Sequence, residues 1–225
     1  VYDRAPYPVE IKKGSFSYNE KSAAVKDLDG ALGKSSFSGL NAQLLTGDKS
    51  RLSILSGKAG IDTTEIHRWL SSYEKLKASL GKIASISGRL NISSVTFQGP
   101  VTDSQDWNFK IAGSAEKLLI NTSLLPAALG VTSAKFETQA GQLIFSDAGT
   151  SFLDASSIIS GHLSTSLDNV RKGDIRFSGT AGPKALQWIR DTFSIPEYVR
   201  VDKAMTISGA RLSWQDKGET VFEGN

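Results

Sequence analysis

The stretch "GRLNISSVTFQG", Gly88 to Gly99, decides how the rest of the chain is read. Leu90 and Ile92 alternate with polar neighbours. Val95 and Phe97 do the same, one step out of phase with the first pair. Alternation with period two marks a strand that has one apolar face. A slip of one residue with no turn between requires an extra residue inside the strand, a β-bulge. The segment that follows, "DWNFKIAGS" from Asp106 to Ser114, alternates cleanly through Trp107, Phe109 and Ile111.

Working outward, the same grammar repeats. Between Val9 and Ile61 lie "VEIKKGSFSY", "AAVKDLDGAL", "SSFSGLNAQLL" and "RLSILSGKAGI". Each alternates roughly and ends in Gly, Asp, Asn or Ser. Downstream, "KLLINTSLLP", "GQLIFSDAG", "GHLSTSL" and "GDIRFSG" are short runs bounded in the same way. Strands at this spacing with this punctuation predict an antiparallel meander. The aligned apolar positions form one candidate face, of a groove or of a core: Leu90, Ile92, Trp107, Phe109, Ile111, Leu143, Phe145, Leu163, Ile175, Phe177, Met205, Ile207, Leu212 and Trp214.

Two segments break the pattern. "DTTEIHRWLSSYEKLKASLGK" places Ile66, Leu70, Tyr73, Leu76 and Leu80 at spacings of three and four, with Asp62 or Thr63 to cap and Gly81 to stop it. It predicts a helix over 63–80. "GPKALQWIRDTFSIPEYVRV" starts with Pro183, tolerated in a first helical turn, and stops at Pro196. It predicts a helix over 183–194 with Leu186, Trp188, Ile189 and Phe193 on its apolar side, followed by a strand from Val199. With Ile66, Leu70 and Tyr73, these residues are candidates to plug a groove or cover the sheet's edges. The expected architecture is mainly β with two short helices: a curved antiparallel meander sheet forming a groove, or an open sandwich. Residues 1–61 form a β meander, 62–81 a helix, and 82–225 a curved antiparallel sheet with the short helix at 183–194.

A loose recurrence runs through "ISGRL", "IAGSA", "ISGHL", "FSGTA" and "ISGAR". Either glycine simply punctuates strands, or each one marks a strand bending across a curved sheet. The irregular spacing excludes a fixed-length solenoid.

The chain has 225 residues, 26 Lys and Arg against 23 Asp and Glu, and no cysteine. The basic excess is small and scattered, unlike a nucleic-acid footprint. The absence of cysteine removes disulfides, thiol catalysis and thiolate metal sites. No apolar run approaches the ~18 residues of a spanning helix. His67 and His162 stand alone, as an exposed helix residue and a strand residue, so neither marks a metal site. "GALGKSS" lacks the first glycine of a phosphate loop, since position 28 is Leu28. The pairs Asp27/Asp29 and Asp103/Asp106 read as turn residues. No catalytic residue, cofactor or metal ligand is expected. The first residue is Val1 and the last run, "VFEGN", follows a strand directly. The reading is a segment of a longer chain, with any membrane anchor outside it.

The long run from "WNFKIAGSAEKLLINTSLLPAALGVTSAKFETQAGQLIFSDAG" to "SSIISGHL", with "SGTAGPKALQWIRDTFSIPEYVRVDKAMTISGARLSW" and "GIDTTEIHRWL", resembles the repeated β segments of the AsmA-like family of Gram-negative envelope proteins. The likeness covers most of residues 55–216. It implies a periplasmic β-sheet, anchored in the inner membrane by a helix elsewhere in the chain. The sheet's apolar groove would carry phospholipid acyl chains towards the outer membrane, and flanking repeats of the same chain would continue it. It brings no catalytic residue. The alternatives are a non-enzymatic envelope scaffold that binds a protein partner along a strand edge, and a glycan-binding or hydrolytic periplasmic β domain.

Overall fold

A computed structural model describes residues 7–47, 50–72, 80–101, 106–139, 141–166, 169–193, 203–216, 218 and 220–224. These hold twelve strands: β1 (Val9–Asn19), β2 (Ser22–Leu32), β3 (Ser35–Leu45), β4 (Arg51–Asp62), β5 (Ile83–Pro100), β6 (Asn108–Thr122), β7 (Leu129–Gln139), β8 (Gln142–Phe152), β9 (Ala155–Ser166), β10 (Asn169–Ala181), β11 (Met205–Trp214) and β12 (Val221–Glu223). All lie in one sheet, each beside its sequence neighbour and antiparallel to it. The first and last strands do not pair, so the sheet is open, and among the described residues no second sheet makes it a sandwich.

The phase slip in Gly88–Gly99 is a bulge. The pairing of β5 with β6 shifts between Ile92 and Ser94, while Gly113 and Ile111 stay in step on β6. The extra residue returns Val95 and Phe97 to the side of Leu90 and Ile92. "DWNFKIAGS" and "KLLINTSLLP" are not separate strands. They join as β6, kinked at Lys117, whose φ is +49°.

Bulges recur along the sheet, and many are locked by a polar side chain. The N–H groups of two positive-φ residues, Asp27 and Gly39, donate to Asn41 Oδ1 (3.1 Å) and Asp29 Oδ1 (2.7 Å). Asp147 and Gly209, also at positive φ, donate to Ser160 Oγ (3.1 Å) and Ser178 Oγ (3.0 Å). A bulge leaves an N–H outside the ladder, and these side chains satisfy it. Asp27 and Asp29 therefore work inside β2, not in a turn as their residue type had indicated.

The recurrent glycines sit inside strands, which overturns the punctuation reading. Gly88 and Gly209 have φ of +117° and +64° at register shifts, where strands bend. Gly113, Gly161 and Gly179 serve a different need. A Cβ on each would strike the neighbouring strand's backbone, for Gly161 the Ile175 Cα at 2.9 Å.

Among the described residues two helices are seen whole, α1 (Thr63–Leu70) between β4 and β5 and α2 (Pro183–Phe193) between β10 and β11. Both follow an even-numbered strand, so both lie at the same end of the sheet, and not at its two edges. Asp62 Oδ1 caps α1 by accepting from Glu65 N–H (3.0 Å). Glu65 also accepts from Lys34 N–H (2.7 Å), and Thr63 donates to Gly88 O (3.0 Å), which ties α1 to the sheet end. The helix ends at Leu70, not at residue 80. Ser71 and Ser72 turn the chain, and the Ser72 hydroxyl takes the carbonyl of Trp69 (2.6 Å), competing with continued helix. Leu80 is helical again, while Tyr73 and Leu76 lie outside the described residues, as does the strand expected from Val199. The cap of α2 comes from the β8–β9 turn: Asp154 accepts from Lys184 N–H (3.0 Å) and Ala185 N–H (2.8 Å). Those N–H groups, Lys184 foremost, hold the Asp154 carboxyl below its ordinary range.

Candidate functional site

Register places the apolar residues on one face. Opposed Cα partners in an antiparallel pair share a side, so the pairings can be followed from strand to strand. One row crosses the whole sheet: Ile11, Gly30, Phe37, Ala59, Ile92, Gly113, Phe136, Phe145, Gly161, Ile175, Leu212 and Phe222. Every member is apolar or glycine. At ~4.8 Å per strand the row is about 53 Å long.

The other candidate residues flank it on the same face. Leu90 opposes Ala115, and Ile111, Thr138, Leu143, Leu163, Gly173 and Trp214 form a second row. Phe109 opposes Phe97, and Phe177 opposes Ala210; Ile207 and Met205 oppose Gly179 and Ala181. Trp107 stands just before β6, not within a strand. It joins the face edge-on to Phe97 at 5.5 Å, with its indole N–H donated to Pro100 O (2.8 Å). No charged side chain occurs in either row.

Several residues of this face were not singled out from the sequence, among them Phe37 and Phe136, and Phe97 was read only as part of the phase slip. Their role depends on what lies across the strand. Phe136 and Phe145 oppose Gly113 and Gly161, and Phe37 opposes Gly30. The Phe37 ring edge lies 2.5 Å from where a Gly30 Cβ would stand, and the Trp107 ring 2.6 Å from that of Gly99. The Trp214 ring covers Gly173 in the same way. Aromatic rings resting on cross-strand glycines shield bare backbone and fix register.

Little covers this face. Among the described residues the buried hydrophobics are five alanines and Leu186, and no large side chain is fully buried. The accessible surface is 15258 Å², against about 10,000 Å² for a compact chain of this mass. The exception is the corner under α2. There Ala185 and Leu186 bury against Ala181, with Ala155 packed alongside, and Trp188 meets Phe152 edge-on at 4.9 Å. Ile189 is half-buried, and the side chain of Phe193 lies outside the described residues. On α1, Ile66 and Leu70 are half-buried, and so is His67. His67 had been expected in solvent, but its Nε2 is shut off without a partner.

The opposite face is mostly polar, with Ile144 and Ile158 exposed on it. His162 sits there opposite Asp174, beside Arg176 and Arg211. Arg211 Nε donates to both Asp174 oxygens (3.1 and 3.2 Å), and its Nη1 lies 3.6 Å from Glu223 Oε2. The Arg211 bond holds the Asp174 carboxyl below its usual range. A depression of about 510 Å³ lies between Asn91, Ser114, Lys135, Glu137, Ile144 and Ser146. Its two charges are exposed neighbours on β7, and it brings together no acid–base pair. Among the described residues no cluster of His, Asp and Glu could hold a metal ion, and no helix is long and apolar enough to cross a membrane. Among the described residues the arrangement that stands out is the uncharged apolar face, and monomers rarely expose a large contiguous surface of that kind. No family model, curated protein or solved structure matches the chain.

Proposed function

We propose that this chain is a periplasmic segment of an AsmA-like envelope protein, and that its apolar face binds and conducts phospholipid acyl chains between the inner and outer membranes. One observation carries the reading: an uncharged apolar row spans all twelve strands, and among the described residues no second layer is packed on it. Such a face needs a cover, and an acyl chain is a cover of matching chemistry. A ~16-carbon chain with half its surface against the sheet would gain about 6 kcal/mol at ~0.8 kcal/mol per buried CH₂. A row without charges or polar steps offers that gain evenly along its length, so a bound chain meets no deep trap. On this reading the segment performs no chemistry, and its anchor lies elsewhere in the protein.

Native mass spectrometry of the gently extracted chain tests this. The expected result is adducts with phospholipid masses, lost in Phe109→Asp. A lipid-free chain that also takes up no phospholipid from vesicles would sink the proposal. A second reading, a scaffold that binds protein along a strand edge, draws support from β1, all eleven of whose residues are exposed.

A further inference from the structure

The mostly polar face carries another hollow, of about 410 Å³, over β1–β5. Lys12, Lys58 and Arg89 line it, with Asp29, Ser36 and Ser38. Three cations thus face a single carboxylate. Towards the other edge of the sheet a cation on this face is neutralised, since Arg211 is held by Asp174 and Glu223. In the hollow, among the described residues, no carboxylate stands at ion-pair distance from any of the three. The acids nearest in register are turned elsewhere. Arg89 opposes Asp62 and Glu116 across its two ladders. Asp62 caps α1, and Glu116 Oε1 accepts from Asn91 Nδ2 (2.8 Å). Asp29 Oδ1 accepts from the Gly39 N–H (2.7 Å).

The Arg89 guanidinium reaches across β4 instead. Its Nη2 lies 2.6 Å, and Ser36 Oγ 3.2 Å, from the point where a Cβ on Gly60 would stand. Gly60 pairs with Ser36 on one side and Asn91 on the other, so its missing side chain leaves open space where the two groups converge. The Ser36 and Ser38 hydroxyls have no hydrogen-bond partner among the described residues. An Arg fork takes phosphate oxygens in pairs, a Lys adds a point charge, and a hydroxyl adds a donor. A phosphate group, at about −1.5 to −2, offsets the surplus of positive charge, whose mutual repulsion is otherwise unfavourable. Ser36, Gly60, Lys58 and Arg89 belong to β3, β4 and β5, each with a described strand on both sides. Their arrangement does not depend on what continues the sheet.

We infer that this hollow is an anion site for a phosphate group, with Arg89 and Lys58 as its charges, Ser36 as a hydroxyl donor and Gly60 as its floor. It lies on the face opposite the apolar row, and either reading can fail alone. Two probes separate the sources of such a group: inorganic phosphate, and phosphatidylcholine vesicles with and without phosphatidic acid. Phosphate is followed by titration calorimetry and vesicles by co-sedimentation, both with the full chain at constant ionic strength, which holds diffuse attraction fixed. Saturable binding is expected, weakened at least about tenfold by Arg89→Gln, since a charged pair of donors is lost. Gly60→Ala keeps every charge and puts a methyl group into the open space, and it should weaken binding as much. Lys172→Gln, on β10, should change nothing. Uptake of inorganic phosphate with this dependence supports the site and names a free phosphate or phosphate ester as its ligand. Uptake only of vesicles that carry phosphatidic acid, with the same dependence, supports it and names a lipid headgroup. Binding of neither probe overturns the site. So does binding that survives Arg89→Gln or Gly60→Ala, or that Lys172→Gln weakens equally. Should Gly60→Ala fail to fold, Lys58→Gln, at an exposed side chain, decides in its place by the same comparison with Lys172→Gln.

Discussion

The corner under α2 and the open middle of the same face are made of similar residues and differ in cover. In the corner, Ala181, Ala185 and Leu186 are 4, 2 and 8% exposed. In the middle, Ile92, Phe136 and Phe145 have the same chemistry and stay half open to solvent. Away from that corner the sheet, among the described residues, fully covers only small side chains such as Ala115, Ala148 and Ala210; a large one, Leu186, is buried only where α2 is laid on it. Most of this fold is therefore held by ladder hydrogen bonds and by neighbour-to-neighbour side-chain contact, each worth about 1 kcal/mol or less.

The contrast can be broken most directly at Leu186. Leu186→Asp puts an unpaired charge into the corner covered by α2 and should cost about 3 kcal/mol, read from urea unfolding. A cost below ~1 kcal/mol would mean the corner is no core. Gly161→Ala comes next. Its Cβ would collide with the backbone of Asp174 and Ile175, and about 1–3 kcal/mol of stability should be lost although the site is on the open face. That result would show that register, not burial, limits the middle of the sheet.

The third prediction concerns the cap of α2. The carboxyl of Asp154 is held low in the folded state, so its contribution is complete above its unfolded value of ~3.9 and fades as pH falls through the lower folded value. Asp154→Asn should melt below the native chain at pH 7, and the gap should narrow once the pH drops below about 4. A gap that stays constant between pH 7 and 3 would deny the carboxylate this role. The smallest effect on stability is expected for Phe109→Asp, about 1 kcal/mol, because the new charge stays in contact with water. Its large effect should be on lipid uptake. Global unfolding by this variant would mean that Phe109 is core after all.

The sequence told much about single strands and little about their partners. The slip between Ile92 and Val95 was legible as a bulge because phase is a local property. The Asp62 cap and the Pro183 start were legible for the same reason. What escaped were features that exist only across strands. Phe136 has no special pattern until Gly113 is seen beneath it. Asp27 and Asp29 read as turn residues until Asn41 and Gly39 appear beside them. The missing second layer was equally hidden, since alternation looks the same whether the apolar side is packed or bare. Trp107 fell one residue short of its strand, and Ser71–Ser72 ended α1 early, both local competitions that periodicity does not register.

The strictly sequential strand order has one more consequence. Since every strand touches only the strands before and after it in the chain, no contact depends on the total number of strands. A hairpin inserted between β7 and β8 would break one ladder, make three, and leave all others as they were. A single strand could not be inserted so quietly, because it would reverse everything after it and send α2 to the opposite end from α1. The natural unit of length for this architecture is thus two strands, about ten ångströms of additional apolar row. A chain built this way can be lengthened to span a distance without being redesigned.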